Sequence, residues 1–177
     1  TILVIYIFIS NVASIVTAQL GIHNLFLFTT YAVVAFPAVA VIYSYWMSKR
    51  YQQYLIYRIV PVHFSLNILI LSLGQAYVEA PEAVSLAFTS LLLVVLSFYI
   101  LLSLLRNPPP HPAYRDERFW VALGIFVYYT GNAFVYAGVL SGITIEIWRI
   151  HNLLNFGAFL CYIIGYLCIP RPRTSLS

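Results

Sequence analysis

Long apolar runs alternate with short polar breaks along the whole chain. Six runs each approach the ~20 residues that a helix needs to cross a bilayer, at about 2–20, 25–46, 55–76, 83–106, 118–140 and 146–169. No soluble domain fits between them. The pattern predicts an all-α fold, a polytopic membrane bundle of six transmembrane helices forming one domain over 1–177. The first apolar run is already under way at Thr1, so a seventh helix upstream is compatible with it. The longest connection, "RNPPPHPAYRDER" at 106–118, is expected to be a stiff connector, because proline cannot continue a helix and favours an extended chain. Pro37 and Pro61 lie inside predicted spans, where membrane helices tolerate proline, often at a bend.

Composition fixes the solvent. The chain is 62% hydrophobic and only 8% charged, with a mean hydropathy of +0.90. Soluble domains carry about 25% charged residues, so lipid surrounds most of this chain. The net charge of +4 matters less than its distribution. Lys49, Arg50 and Arg58 flank the second connection, Arg106, Arg115 and Arg118 flank the fourth, and Arg171 and Arg173 follow the last span. Arg149 alone falls on the other side, together with Glu79, Glu82 and Glu146. That bias predicts a cytoplasmic C-terminus and cytoplasmic even-numbered connections. Trp46, Trp120 and Trp148 fall at predicted boundaries, as interfacial anchors do. The expected partners are the bilayer and another membrane protein or a second copy of the chain, with no nucleic acid.

Polar side chains inside the spans carry the functional signal. Counted from the outer boundary, Asn11, Asn67, Asn132 and Asn155 each lie about eight or nine residues deep. At 1.5 Å per residue they form one layer roughly 12–14 Å below the surface. Thr29, Thr30, Tyr31, Thr89 and Ser90 fall slightly above it. Two readings stay open: asparagines that bond across helices and fix the bundle, or a polar cavity for a small neutral ligand. His63 and Asn67 share a helical face at i, i+4, and an intramembrane histidine is either a functional group or a neutral imidazole bonded to a neighbour. In the fifth span Gly124, Gly131 and Gly138 recur every seven residues, a stripe that lets another helix approach closely. Beside it run Tyr128, Tyr129, Asn132 and Tyr136. The sixth span places Trp148, Asn152, Asn155, Phe159, Tyr162 and Tyr166 on one face, which predicts that the last two helices pack through these faces. The candidate ligand-binding set is His63, Asn67, Tyr128, Asn132, His151 and Asn155.

Much chemistry is missing. No Asp, Glu or Lys lies deep in a span, which argues against a proton-coupled transporter. The sole lysine, Lys49, sits at a boundary, where it cannot serve a retinal. His63 and His151 lie about thirteen and five residues from the outer boundary, which does not suit bis-histidine haem. Cys161 and Cys168 share a helix at i, i+7, roughly 10 Å apart by helical rise, too far for a disulfide. There is no hydrolase or nucleotide motif and no metal spacing. The expectation is a non-enzymatic protein with no cofactor beyond a bound lipid.

The tetrapeptide "IHNL" occurs at 22–25 and 150–153. Asn24 suits a helix cap. Asn152 falls within the first turns of its helix, so the two copies are not equivalent. The later copy, "WRIHNLLN", puts an interfacial Trp148, the lone outer cation Arg149 and then His151 on the way to Asn155, with His23 a neighbour on the same face of the membrane.

"RFWVALGIFVYYTGNAFVY" followed by "WRIHNLLNFGAFLCYIIGY" resembles the C-terminal part of an uncharacterised family of bacterial multi-pass membrane proteins, and "HNLFLFTTYAVVAF" is similar to an earlier segment of that family. Two positions depart from its pattern: Thr29 replaces a histidine, and the region of Ala35–Phe36 is apolar where the family has an acidic residue. The resemblance implies the bacterial cytoplasmic membrane and a likeness to the membrane input regions of sensor kinases. With the asparagine layer, it points to a sensor-like or small-ligand-binding or lipid-binding module that acts through a partner. An accessory subunit of a larger complex and a small-solute transporter or channel are the alternatives.

Overall fold

A computed structural model of the chain describes residues 25–47, 49–77, 81–142 and 147–169, with single positions 9, 12, 13, 16, 17 and 20 ahead of them. Asn11, His23, Asn24, Arg171 and Arg173 lie outside the described residues. Those described form five α-helices: α1 (Leu25–Trp46), α2 (Arg50–Tyr77), α3 (Pro81–Arg106), α4 (Glu117–Leu140) and α5 (Ile147–Cys168). No strand occurs among them.

Four helical stretches are long and apolar enough to cross a membrane: Gln52–Leu73, Pro81–Arg106, Glu117–Leu140 and Arg149–Cys168. A shorter apolar stretch, Val33–Trp46, lies in α1. These are the helices of a membrane protein, with four candidate spans where the sequence pattern predicts six. The difference lies at the start of the chain, because most of 2–20 and the side chains of 25–29 fall outside the described residues.

Local chemistry sets the helix ends. α2 begins at Arg50 rather than near 55, and Gln53 Nε2 ties its first turn to the Met47 carbonyl at 3.0 Å. Pro81 opens α3 at a position where its missing N–H costs nothing. Asp116 caps α4, accepting from the Arg118 N–H at 2.9 Å. The Arg118 guanidinium also bonds this buried carboxylate, at 2.6 Å, and holds it below the usual carboxylate range. Between α3 and α4 the chain runs extended at Pro112 (φ −58°, ψ 141°) before a single 3-10 turn at Ala113–Arg115. This is the stiff connector that the prolines imply.

Consecutive helices run antiparallel, and α3 and α4 form the middle of the bundle. Their buried positions follow a 3.5-residue repeat: Leu86, Ser90, Leu93, Ser97, Ile100 and Leu104 in α3, and Ala122, Ile125, Tyr129, Asn132 and Tyr136 in α4. That spacing keeps one stripe of each helix inside the bundle, where α3 meets α1 and α2 as well as α4. Lipid tails are as apolar as leucine, so association rests on close packing, and small buried residues such as Ser90 and Ser97 allow it. α1 lays Ala35, Phe36, Val39, Ala40 and Tyr43 into the same core. The Tyr43 hydroxyl and Ser97 Oγ, 2.8 Å apart, join α1 to α3. α2 is peripheral: Ile56, His63 and Asn67 are its buried positions among those described.

Candidate functional site

Side-chain contacts fix how the helices align. Between α2 and α3, His63 meets Thr89, Asn67 meets Ser85 and Gln52 meets Tyr99. Between α3 and α4, Leu86 packs with Val135 and Tyr136, and Phe98 with Phe126. Between α4 and α5, a Cβ added to Gly131 would run into Leu154, and one added to Gly165 would sit 3.2 Å from Trp120 Cβ. On this register His63, Thr89 and Ser90, Asn132, and the His151–Asn155 turn share one level of the bundle. Asn67 lies about one turn further from the end that carries Lys49 and Arg106. Of the four asparagines predicted to be level, Asn132 and Asn155 are in this polar layer, Asn67 lies about a turn away and Asn11 is outside the described residues. His63 and His151 come out level, not offset by eight residues, because α2 runs on past the start of α3 and its end does not mark the boundary.

The layer has two described parts. In the first, His63 Nε2 and Thr89 Oγ1 are 2.9 Å apart. Asn67 Nδ2 donates to the His63 carbonyl at 2.8 Å, and its oxygen accepts from Ser85. All four residues are at most 1% exposed. The His63 ring stacks on Phe36 of α1, with centroids 4.0 Å apart and planes at 19°, and faces Phe88 at 6.1 Å. Ser85 and Phe36 are absent from the sequence-derived set. A signal for Ser85 existed: Ser85 and Thr89 repeat the four-residue spacing of His63 and Asn67, in the reverse order that an antiparallel neighbour requires.

In the second part, Asn155 Nδ2 and His151 Nε2 are 3.1 Å apart within α5, and the Tyr128 ring lies 6.0 Å from the imidazole. His151, Tyr128 and Asn132 are buried, while Asn155 is half-buried. The amide of Asn155 thus turns to its own helix and not to Asn132. Three buried polar atoms have no hydrogen-bond partner among the described residues: His63 Nδ1, Asn132 Oδ1 and Thr130 Oγ1. Thr130 also lines an apolar cleft of about 390 Å³ between α3 and α4, walled by Ala87, Leu91, Ala133 and Phe134.

The α4–α5 contact departs from its expected form. Gly124 and Gly131 do face α5: a Cβ on Gly124 would stand 2.6 Å from Tyr162 Cε1 and 3.1 Å from the Ala158 carbonyl oxygen. Gly138 is half-buried in the last turn of α4. The aromatic-polar face of α5, however, forms the interface only in part: Tyr162 packs against Gly124 and Asn155 is half-buried. Asn152, Phe159 and Tyr166 are exposed, the last at 75%. His151, Ala158 and Gly165 are buried instead, with Leu154 and Tyr162 beside them. The glycines leave room for Leu154 and the Tyr162 ring, while Phe159 and Tyr166 turn outward. Gly165 belongs to this contact and was not singled out by the seven-residue stripe. Arg149 is exposed, Trp148 is described in backbone only, and Cys161 and Cys168 are free thiols.

Every side chain of the layer is neutral or a histidine. It can donate and accept hydrogen bonds but brings no fixed charge to a ligand. Among the described residues no three His, Cys, Asp or Glu side chains are grouped to hold a metal ion. Fold and composition together define a helical membrane protein. No family model matches the chain, and no curated protein or solved structure is similar to it.

Proposed function

We propose that this chain is a non-enzymatic, sensor-like membrane module that binds a small neutral molecule or lipid group in the polar layer and acts through a partner. The supporting observation is the set of unpartnered atoms: His63 Nδ1 and Asn132 Oδ1 are buried in the layer, and Thr130, whose Oγ1 is also buried and unpartnered, lines an apolar cleft. A buried polar atom left unpaired costs about 1–3 kcal/mol, and such costs persist where a ligand supplies the missing bond. In the same reading the module has six spans in a bacterial cytoplasmic membrane, with its C-terminus in the cytoplasm. The basic residues at one end of the bundle and the resemblance of the α4 and α5 sequences support this.

Asn132→Leu separates a binding layer from a purely structural one. If the layer awaits a ligand, replacing Asn132 by an apolar residue of similar size removes an unpaired group. The thermal midpoint in detergent then rises, while a small molecule co-purifying with the wild type, identified by mass spectrometry, is lost. A fall of about 1 kcal/mol or more in stability, with the same molecules co-purifying as before, would falsify the binding role.

A further inference from the structure

A second cavity lies far from the polar layer, at the basic end of the bundle. It has a volume of about 340 Å³ between the N-terminal turns of α2 and the C-terminal turns of α3. Lys49, Gln52, Tyr99, Ser103, Arg106 and Asn107 line it. We propose that this pocket holds the phosphate of an anionic phospholipid.

Its chemistry is the opposite of the layer's. Two cations, Lys49 just ahead of α2 and Arg106 at the end of α3, converge with two amides and two hydroxyls, and no carboxylate lines the pocket among the described residues. Cations beside neutral donors suit the several acceptor oxygens of a phosphate. Gln52 Nε2 donates to the Tyr99 hydroxyl, which ties the two walls together. The N-terminal end of α2 adds partial positive charge, while the C-terminal end of α3 opposes it. Attraction therefore rests on the side-chain cations. The site also sits at the ends of two candidate spans, Gln52–Leu73 and Pro81–Arg106, with Lys49 and Asn107 just outside them, at the level of headgroups. Basic pockets between helix ends at this depth recognise anionic lipid headgroups.

A free phosphate would use only the polar rim, and the helices offer more. On α3, Leu91 and Val95 continue the face of Tyr99 toward the bilayer interior, and they are 56% and 64% exposed. On α2, Leu55 and Val62 do the same from Gln52, at 57% and 56% exposed. Acyl chains have apolar surface to follow directly from the pocket.

The test uses the whole chain in nanodiscs of phosphatidylcholine mixed with phosphatidylglycerol, followed by native mass spectrometry of the lipid retained in detergent. The wild type is expected to retain phosphatidylglycerol over phosphatidylcholine, and added inorganic phosphate leaves that retention unchanged. Lys49→Gln with Arg106→Gln lowers the preference roughly thirtyfold, whereas Arg115→Gln, at the same end but outside the pocket, keeps it. The proposal is overturned if the wild type shows no preference, if the double variant retains as much as the wild type, or if inorganic phosphate displaces the lipid. Should the double variant lose its helical circular dichroism, the two single variants are read against the same criteria.

Discussion

The histidine–asparagine turn occurs twice, and its two copies end differently. His63 with Asn67 in α2 and His151 with Asn155 in α5 have the same order and the same four-residue spacing. In α2 the pair faces Ser85 and Thr89, and its bonds cross to α3. In α5 the pair faces a helix of glycines and tyrosines, and its described hydrogen bond stays inside α5. The spacing puts both groups on one face. What stands opposite decides which bonds they make. The α2 pair is a strut, and in the proposed function the α5 pair is the wall for a ligand.

The largest expected effect tests the strut. Asn67→Ala removes the acceptor for Ser85 and the donor to the His63 carbonyl, and it leaves a void around a buried hydroxyl. We expect a loss of about 2–3 kcal/mol in a reversible unfolding measurement in detergent. A loss under about 0.5 kcal/mol would mean that the interhelical bond contributes little, and the contrast between the two turns would go with it.

Next in size is the spacing of α4 and α5. A methyl group on Gly124 meets the Tyr162 ring and, at 3.1 Å, the Ala158 backbone oxygen, which cannot swing aside. Gly124→Ala should cost about 1–3 kcal/mol by overpacking. Gly157→Ala is the control, because a methyl group there meets nothing within 4 Å. It should be neutral or stabilising by up to about 1 kcal/mol from helix propensity. Since Gly124 and Asn67 share no partner, their losses should add within about 0.5 kcal/mol. Strong coupling between them would show that the two parts of the layer respond as one unit.

How much of this was legible follows from what each signal depends on. Period and length are properties of one helix, and they gave α1 to within a residue and α3 to α5 to within two. The depth of a residue depends on where its helix ends relative to its neighbours. Boundaries therefore placed His63 far from His151, and only the Thr89 and Ser85 contacts brought His63 level with Asn132. Facing is also relational. An aromatic-polar stripe on α5 looks like an interface in isolation, yet the glycines opposite admit Leu154, Ala158 and Gly165 and turn Phe159 and Tyr166 outward. The positive end was readable as a count of charges. That Lys49 and Arg106 converge on one pocket depended on α2 starting at Arg50, earlier than its apolar run.

The smallest expected effect is the sharpest test of the comparison. Asn155 is half-buried and bonds within its own helix, so Asn155→Ala forfeits a local bond and leaves no partner stranded on another helix. Measured interhelical polar contacts in membrane proteins average about 0.6 kcal/mol, and this intrahelical one should fall at or below that. The thermal midpoint should therefore shift much less than in Asn67→Ala. If the α5 turn is a ligand wall, the same variant should nonetheless lose most of whatever molecule co-purifies with the wild type. Little stability lost and much binding lost is the signature of a side chain kept for contact with a ligand. A loss equal to that of Asn67→Ala would instead give Asn155 a partner across the bundle, and the two turns would be struts alike.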